Sequence, residues 1–130
     1  MASGPYLAGL EGLLSSINLS SDTIKIAAVS TSYTFANSET SMTTAGGTRI
    51  GTDQTLGSKT ITNGVFDAAD ATWTAVAGGS TIGGFVVYKY VTNDAGSTPI
   101  LFIDTTDTAT NGGDIVLQFD SGTNKIFKLS

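Results

Sequence analysis

Residues 84–91 have the sequence GFVVYKYV, and residues 99–105 have the sequence PILFIDT. Both runs are apolar at consecutive positions, which is typical of strands that are buried on both faces of a sheet. Val, Ile, Phe and Tyr also favour the extended backbone of a strand. The two runs therefore predict two central strands, around which the rest of the chain is interpreted.

Shorter runs elsewhere in the chain predict further strands. In residues 23–29, TIKIAAV, the residues Ile24, Ile26 and Ala28 share one face, and Lys25 lies on the other. In residues 70–76, DATWTAV, the residues Ala71, Trp73 and Ala75 alternate with threonines. Other strands are expected at residues 48–52, 58–62, 65–67, 114–120 and 125–129. Turns are expected at Asn63-Gly64, which is typical of a hairpin, at Gly78-Gly79, and at residues 93–96, 111–113 and 121–124.

These patterns together indicate the fold class. Short strands separated by Gly/Asn turns, with no helix between them, predict an all-β fold of about eight strands. We expect an antiparallel β-sandwich or a small β-barrel with a short N-terminal helix. The longest segment without a predicted strand is residues 30–47, a Ser/Thr-rich stretch that we expect to be a functional or mobile loop.

The one predicted helix lies in residues 4–16. Pro5 suits a first helical turn, and Leu7, Leu10 and Leu14 share one face at the helical period. Two glycines weaken this helix, so it must dock on its own core or reach a partner as an arm. We divide the chain into an N-terminal arm or short helix, residues 1–21, and a β-sandwich domain, residues 22–130.

Composition excludes several classes of function. The chain has 0 His and 0 Cys, so it has no histidine base, no Cys nucleophile, no disulfide and no His or Cys metal ligand. Its net charge is −5, which argues against nucleic-acid binding. The six basic residues are spread singly: Lys25, Arg49, Lys59, Lys89, Lys125 and Lys128. The sequence has neither a membrane-spanning apolar run nor a signal peptide, so we expect a protein made in a cytoplasm.

The sequence gives only weak evidence for a catalytic or ligand-binding site. The pairs Asp67/Asp70 and Asp104/Asp107 are interpreted as turn aspartates, ahead of calcium ligands or an acid/base pair. Residues 78–84 are Gly-rich but lack the lysine of a phosphate-binding loop. Tyr88 and Tyr90 share a strand face and are interpreted as packing residues, with a sugar or protein contact as the alternative. We therefore expect a protein that is not an enzyme and has no cofactor and no metal.

Long stretches of the chain resemble small structural proteins of tailed bacteriophages. The resemblance begins with LLSSINLSSDTIKIAAVSTSYTF, residues 13–35, and continues through residues 47–89 and PILFIDT. Its most specific parts are NGVFDAADATWTAV, residues 63–76, and NGGDIVLQFDSGTNKIF, residues 111–127. The resemblance runs in order through nearly all of residues 10–129 and implies a virion component, above all a capsid decoration (cement) protein.

The resemblance implies a mode of action as well as a location. A decoration protein binds the outer face of the mature capsid and stabilises it, so the expected partner is the major capsid protein, with self-association on the capsid left open. The expected contact residues lie in the N-terminal segment and the long loop: Tyr6, Leu7, Leu10, Tyr33, Phe35 and Met42. No nucleic-acid or membrane partner is expected. The alternatives are a phage tail, head–tail connector or fibre component, and a small carbohydrate-binding or adhesion module that uses Tyr88, Tyr90 or Trp73.

Overall fold

The computed structural model describes residues 4–15, 17–19, 21–45, 47–62, 65–117 and 127–128. These residues form one helix, α1 (Leu7–Ser15), and the following strands: β1 (Gly4–Pro5), β2 (Ile24–Ser30), β3 (Arg49–Thr55), β4 (Thr60–Thr62), β5 (Val65–Asp67), β6 (Ala71–Trp73), β7 (Thr81–Val91), β8 (Asn93–Ala109), β9 (Ile115–Leu117) and β10 (Phe127–Lys128). The fold is all-β and antiparallel with a short N-terminal helix, which confirms the predicted class.

The main sheet contains five strands in the order β1-β8-β7-β2-β3. A second sheet has the order β10-β5-β4, and β6 pairs with β9. The two apolar runs that opened the sequence analysis lie in β7 and β8, which pair with each other, and β7 is the central strand. Every pairing among the described residues is antiparallel, and short connections join the consecutive pairs β4–β5 and β7–β8.

The main sheet is covered on both faces, and each face has its own apolar cluster. The first cluster joins Ile24, Ile26 and Phe85 of the main sheet to Trp73 of β6. The ring centroids of Trp73 and Phe85 are 5.1 Å apart. The second cluster lies on the opposite face and is described with the candidate site below. Because alternate residues of β2 and β7 face different clusters, both strands are apolar at consecutive positions.

Several local predictions differ from the structure. Pro5 is not in the first helical turn but in β1, opposite Leu101 of β8. β1 is an edge strand, and proline is tolerated there because its missing N–H does not interrupt the hydrogen bonds between central strands. The expected turn at residues 93–96 lies within β8; the chain reverses at Thr92, which has a φ of 43°.

Two other strands are shorter than predicted or only partly described. β6 ends at Trp73, and Ala75 adopts a φ of 50° outside the strand. β9 covers Ile115–Leu117. Residues 118–120 and 125, 126 and 129 of the two predicted strands, and the predicted turn at residues 121–124, lie outside the described residues. The predicted hairpin turn at residues 63–64 also lies outside them, although the flanking Thr62 and Val65 are paired as a two-residue hairpin requires.

Candidate binding surfaces

Three of the six predicted contact residues lie in the core, which corrects the expectation that they form a surface. Tyr6, Tyr33 and Met42 are 0%, 6% and 2% exposed and belong to the second cluster. Phe35 is half-buried, and its ring stacks on Phe102 at a centroid distance of 5.3 Å. Tyr33, Met42 and Ala45 of the 31–45 segment are buried because this segment closes one face of the main sheet.

We call residues 31–45 the covering segment. A buried chain of hydrogen bonds connects the N-terminal segment to it. The hydroxyl groups of Tyr6 and Tyr33 are 2.6 Å apart, and the Tyr33 hydroxyl donates to the Glu39 carboxylate. With Tyr33 donating to Glu39, the Tyr6 hydroxyl is the donor to Tyr33. Burial, reinforced by the bond to Tyr33, raises the pKa of Tyr6. The backbone N–H of Leu7 also donates to the carbonyl of Asn37, at 2.9 Å.

The outer face of α1 carries exposed leucines. Leu7 and Leu14, one heptad apart, are 50% and 86% exposed, and Leu10 between them is half-buried. The inner face of α1 is formed by Gly9, which is buried against β8, and by Leu13, which packs on the first cluster. The leucine face, for which the sequence left both the core and a partner open, therefore faces outward. We call Leu7, Leu10 and Leu14 the leucine stripe.

An ionic cluster lies at the β3 edge of the main sheet. The Arg49 guanidinium is 3.0 Å from a carboxylate oxygen of Asp53 and 3.2 Å from one of Asp94. Arg49 also donates to the carbonyl of Met42, which fixes the covering segment to β3. Asp53 accepts a hydrogen bond from the Tyr88 hydroxyl. Burial and this carboxylate raise the pKa of Tyr88.

The aromatic residues considered for sugar contact do not form an exposed platform. Trp73 and Tyr88 are 1% and 2% exposed, so neither ring face is open to a ligand. Tyr90 is half-buried, and the Lys25 ammonium lies 4.0 Å from its ring centroid. The interpretation of these residues as packing residues therefore agrees with their burial.

A polar cleft was not anticipated from the sequence. It has a volume of about 770 Å³ and lies between the β2–β3 region and the segment that joins β6 to β7. Its lining includes the hydroxyl residues Ser30, Thr31, Thr48, Thr52, Thr74, Ser80 and Thr81, together with Gln54, Arg49 and Trp73. These residues come from three separate parts of the chain, and no sequence motif connects them. The Gly-rich residues 78–80 form part of its wall and then enter β7.

The main sheet has register shifts at its β3 edge and in the interior pairing of β7 with β8. The register of β3 on β2 shifts between Ile26 and Ala28, and that of β8 on β7 shifts between Ile82 and Gly84. Such bulges twist an edge and discourage pairing with another chain. In β8, the exposed Asp104 and Asp107 add charge near the shift. The β3 edge therefore favours contact through side chains over the addition of a foreign strand.

The part of the chain that the structure describes contains no group of three or more acidic side chains that could hold a metal ion. It also contains no helix long and apolar enough to cross a bilayer. Comparison of the chain with protein-family models, with curated proteins and with solved structures gives no match.

Proposed function

We propose that this chain is a capsid decoration (cement) protein of a tailed bacteriophage, which binds the outer face of the mature shell and stabilises it. Two independent lines support the proposal. The first is the sequence resemblance to phage structural proteins. The second, which carries the proposal structurally, is the leucine stripe: apolar side chains held outward on a helix that is fixed to its own sheet.

The geometry of α1 suits a docking element. Gly9 and Leu13 hold the helix against the sheet, so Leu7 and Leu14 project from a rigid base, and little conformational entropy is lost on binding. Complete burial of a leucine side chain contributes about 1.5–3 kcal/mol. A contact of two or three leucines is weak for one copy, but many copies on one lattice stabilise the shell together.

The proposed contact set differs from the one expected from sequence. Leu7 and Leu10 remain in it, and the exposed Leu14 joins them. Tyr6, Tyr33 and Met42 take a structural role instead, because they hold the covering segment against the main sheet. Phe35 packs beside them.

Co-sedimentation with capsids that lack this chain tests the contact. We expect Leu14→Ser to weaken binding at least about tenfold, since it removes the most exposed leucine of the stripe. Ile61→Ser is the matched control, because Ile61 is 48% exposed on β4, in a different sheet. Wild-type binding by Leu14→Ser, or an equal loss in Ile61→Ser, would remove the stripe from the capsid contact.

The tail, connector or fibre alternative uses the same fold and could use the same stripe. It differs in copy number, because decoration requires a number of copies close to the capsid subunit count or a simple fraction of it. The adhesion alternative, as formulated on Trp73, Tyr88 and Tyr90, lacks support because the first two are buried and Lys25 lies over the third.

A further inference from the structure

The polar cleft defined above has a size that is typical of a small-molecule site. Its volume of about 770 Å³ falls within the range of about 300–1,000 Å³ for ligand pockets. The capsid contact proposed above makes no use of it, since the leucine stripe lies on α1 and none of its residues lines the cleft.

The charge balance of the cleft indicates a neutral ligand. Arg49 is the one charged residue in its lining. The Arg49 guanidinium is already paired with Asp53 at 3.0 Å and Asp94 at 3.2 Å. A phosphate or carboxylate ligand would therefore have to compete with two carboxylates for one cation. A cationic ligand would find no acidic side chain in the lining.

The hydrogen-bonding groups of the cleft indicate a polyhydroxylated ligand. Thr48, Thr52, Thr74 and Ser80 are exposed residues of the lining. Each hydroxyl group is both a donor and an acceptor, so it can match the hydroxyl groups of a sugar in either orientation. A purely apolar ligand would leave these groups without partners.

Trp73 lines the cleft and carries a buried donor without a partner among the described residues. The residue is 1% exposed, and the donor is its indole N–H. Gly51, which lines the cleft with a φ of 72°, lies against this ring: a Cβ there would be 3.3 Å from Cδ1 of Trp73. The absence of a side chain at Gly51 therefore leaves the cleft close to the indole.

One wall of the cleft is held in an unfavourable backbone conformation. Ala75 has a φ of 50°, a region that non-glycine residues rarely adopt. Its N–H donates to the Asp114 carboxylate at 2.8 Å. The N–H of the next residue, Val76, donates to the carbonyl of Gly113, and the carbonyl of Val76 accepts from the N–H of Gly112. These bonds hold this wall of the cleft in place.

We propose that this cleft is a binding site for a neutral saccharide, held by the threonine and serine hydroxyls of its lining. The site does not depend on the stacking platform that Tyr88 and Tyr90 fail to provide. A protein carrying it has an affinity for neutral glycans in addition to any protein partner.

Fluorescence of Trp73 reports on the cleft directly, because it is the only tryptophan of the chain. The probes are glucose, galactose, N-acetylglucosamine, maltose and lactose, each titrated to about 50 mM, well above a Kd of about 1 mM. We expect a saturable change in emission with at least one of them. Saturation-transfer NMR on the same mixtures detects any binding that leaves the emission unchanged.

A variant of the cleft and a control variant outside it test whether the sugar binds in the cleft. Thr52→Val with Thr74→Val removes two lining hydroxyls at nearly constant volume, and we expect it to weaken binding about tenfold. Thr106→Val, on an exposed residue of β8 outside the cleft, is the control and should bind as wild type.

Three results would overturn the proposal. The first is the absence of binding by both methods for all five sugars. The second is unchanged affinity in the folded Thr52→Val/Thr74→Val variant. The third is tighter binding of glucuronate than of glucose, which would show that charge rather than hydroxyl matching selects the ligand.

Discussion

Gly9 of α1 lies directly against the backbone of Ile100 in β8. A Cβ at Gly9 would be 2.5 Å from the Cα of Ile100 and 2.5 Å from the carbonyl oxygen of Pro99. Glycine costs about 1 kcal/mol relative to alanine inside a helix. Here the helix can approach the strand only because this side chain is absent, so the close contact offsets that cost.

Gly9→Ala should therefore destabilise the protein, by about 1–3 kcal/mol, because the helix must move away from β8. Urea denaturation of the two proteins measures the difference. Gly57→Ala is the control: a Cβ at Gly57 meets no atom within 4 Å, so its free energy of unfolding should change by less than about 1 kcal/mol. A Gly9→Ala protein as stable as wild type would contradict this packing.

The order of donors in the buried tyrosine chain predicts unequal effects of removing each hydroxyl. Tyr33→Phe leaves the fully buried Tyr6 hydroxyl without its acceptor and should cost about 1–3 kcal/mol. Tyr6→Phe leaves Tyr33 bonded to Glu39 and should cost about 1 kcal/mol. Thermal denaturation of both single variants and the double variant measures these costs and their coupling. A larger loss in Tyr6→Phe would reverse the inferred direction of donation.

The Asp22 carboxylate is expected to stabilise the folded protein at neutral pH but not in acid. Its carboxylate accepts the Asn18 backbone N–H at 2.9 Å and lies 3.4 Å from the Lys89 ammonium, and these contacts lower its pKa. Because the pKa of Asp22 is lower in the folded state, its carboxylate stabilises the protein at pH values above the pKa of the unfolded state, which is about 4. This stabilisation is lost as the pH falls through the lower pKa of the folded state. Asp22→Asn should be less stable at pH 7, and the difference should shrink below about pH 4. Denaturation curves at several pH values test this, and a difference that grows on acidification would contradict it.

The buried tyrosines predict the behaviour of the protein in alkali. Burial raises the pKa of Tyr6 and of Tyr88, so the folded state favours their neutral forms. Their contribution to stability is complete below the unfolded tyrosine pKa of about 10 and is lost as the pH rises above it. In a spectrophotometric titration of the four tyrosines, these two should ionise only together with unfolding, which circular dichroism monitors. Ionisation of all four before any loss of structure would contradict their burial.

The central strands could be predicted because burial on both faces leaves a direct mark in the sequence. β7 and β8 contain the two consecutive apolar runs, and Ile24, Ile26 and Ala28 of β2 share one cluster as the alternation predicted. Ala27 and Val29, their neighbours along β2, face the second cluster rather than solvent. That difference could not be predicted, because it depends on the 31–45 segment, which has no strand or helix pattern of its own.

The helix was predicted to exist, but the sequence left open whether its leucines pack on the core or reach a partner. Helical periodicity places Leu7, Leu10 and Leu14 on one face, and apolar faces usually pack inward. The structure instead packs the helix through Gly9, because the backbone of β8 comes too close for a larger residue. The polar cleft escaped prediction for a related reason, since its Ser and Thr residues come from distant segments and are common throughout the chain.

The copy number of this chain in purified virus particles, relative to the major capsid protein, tests the proposed function most directly. Quantitative mass spectrometry of intact particles gives the ratio. Decoration of the shell predicts a ratio near one, or a simple fraction of one. A few to tens of copies per particle would place the chain in the neck, tail or fibres, and its absence from particles would contradict a virion function altogether.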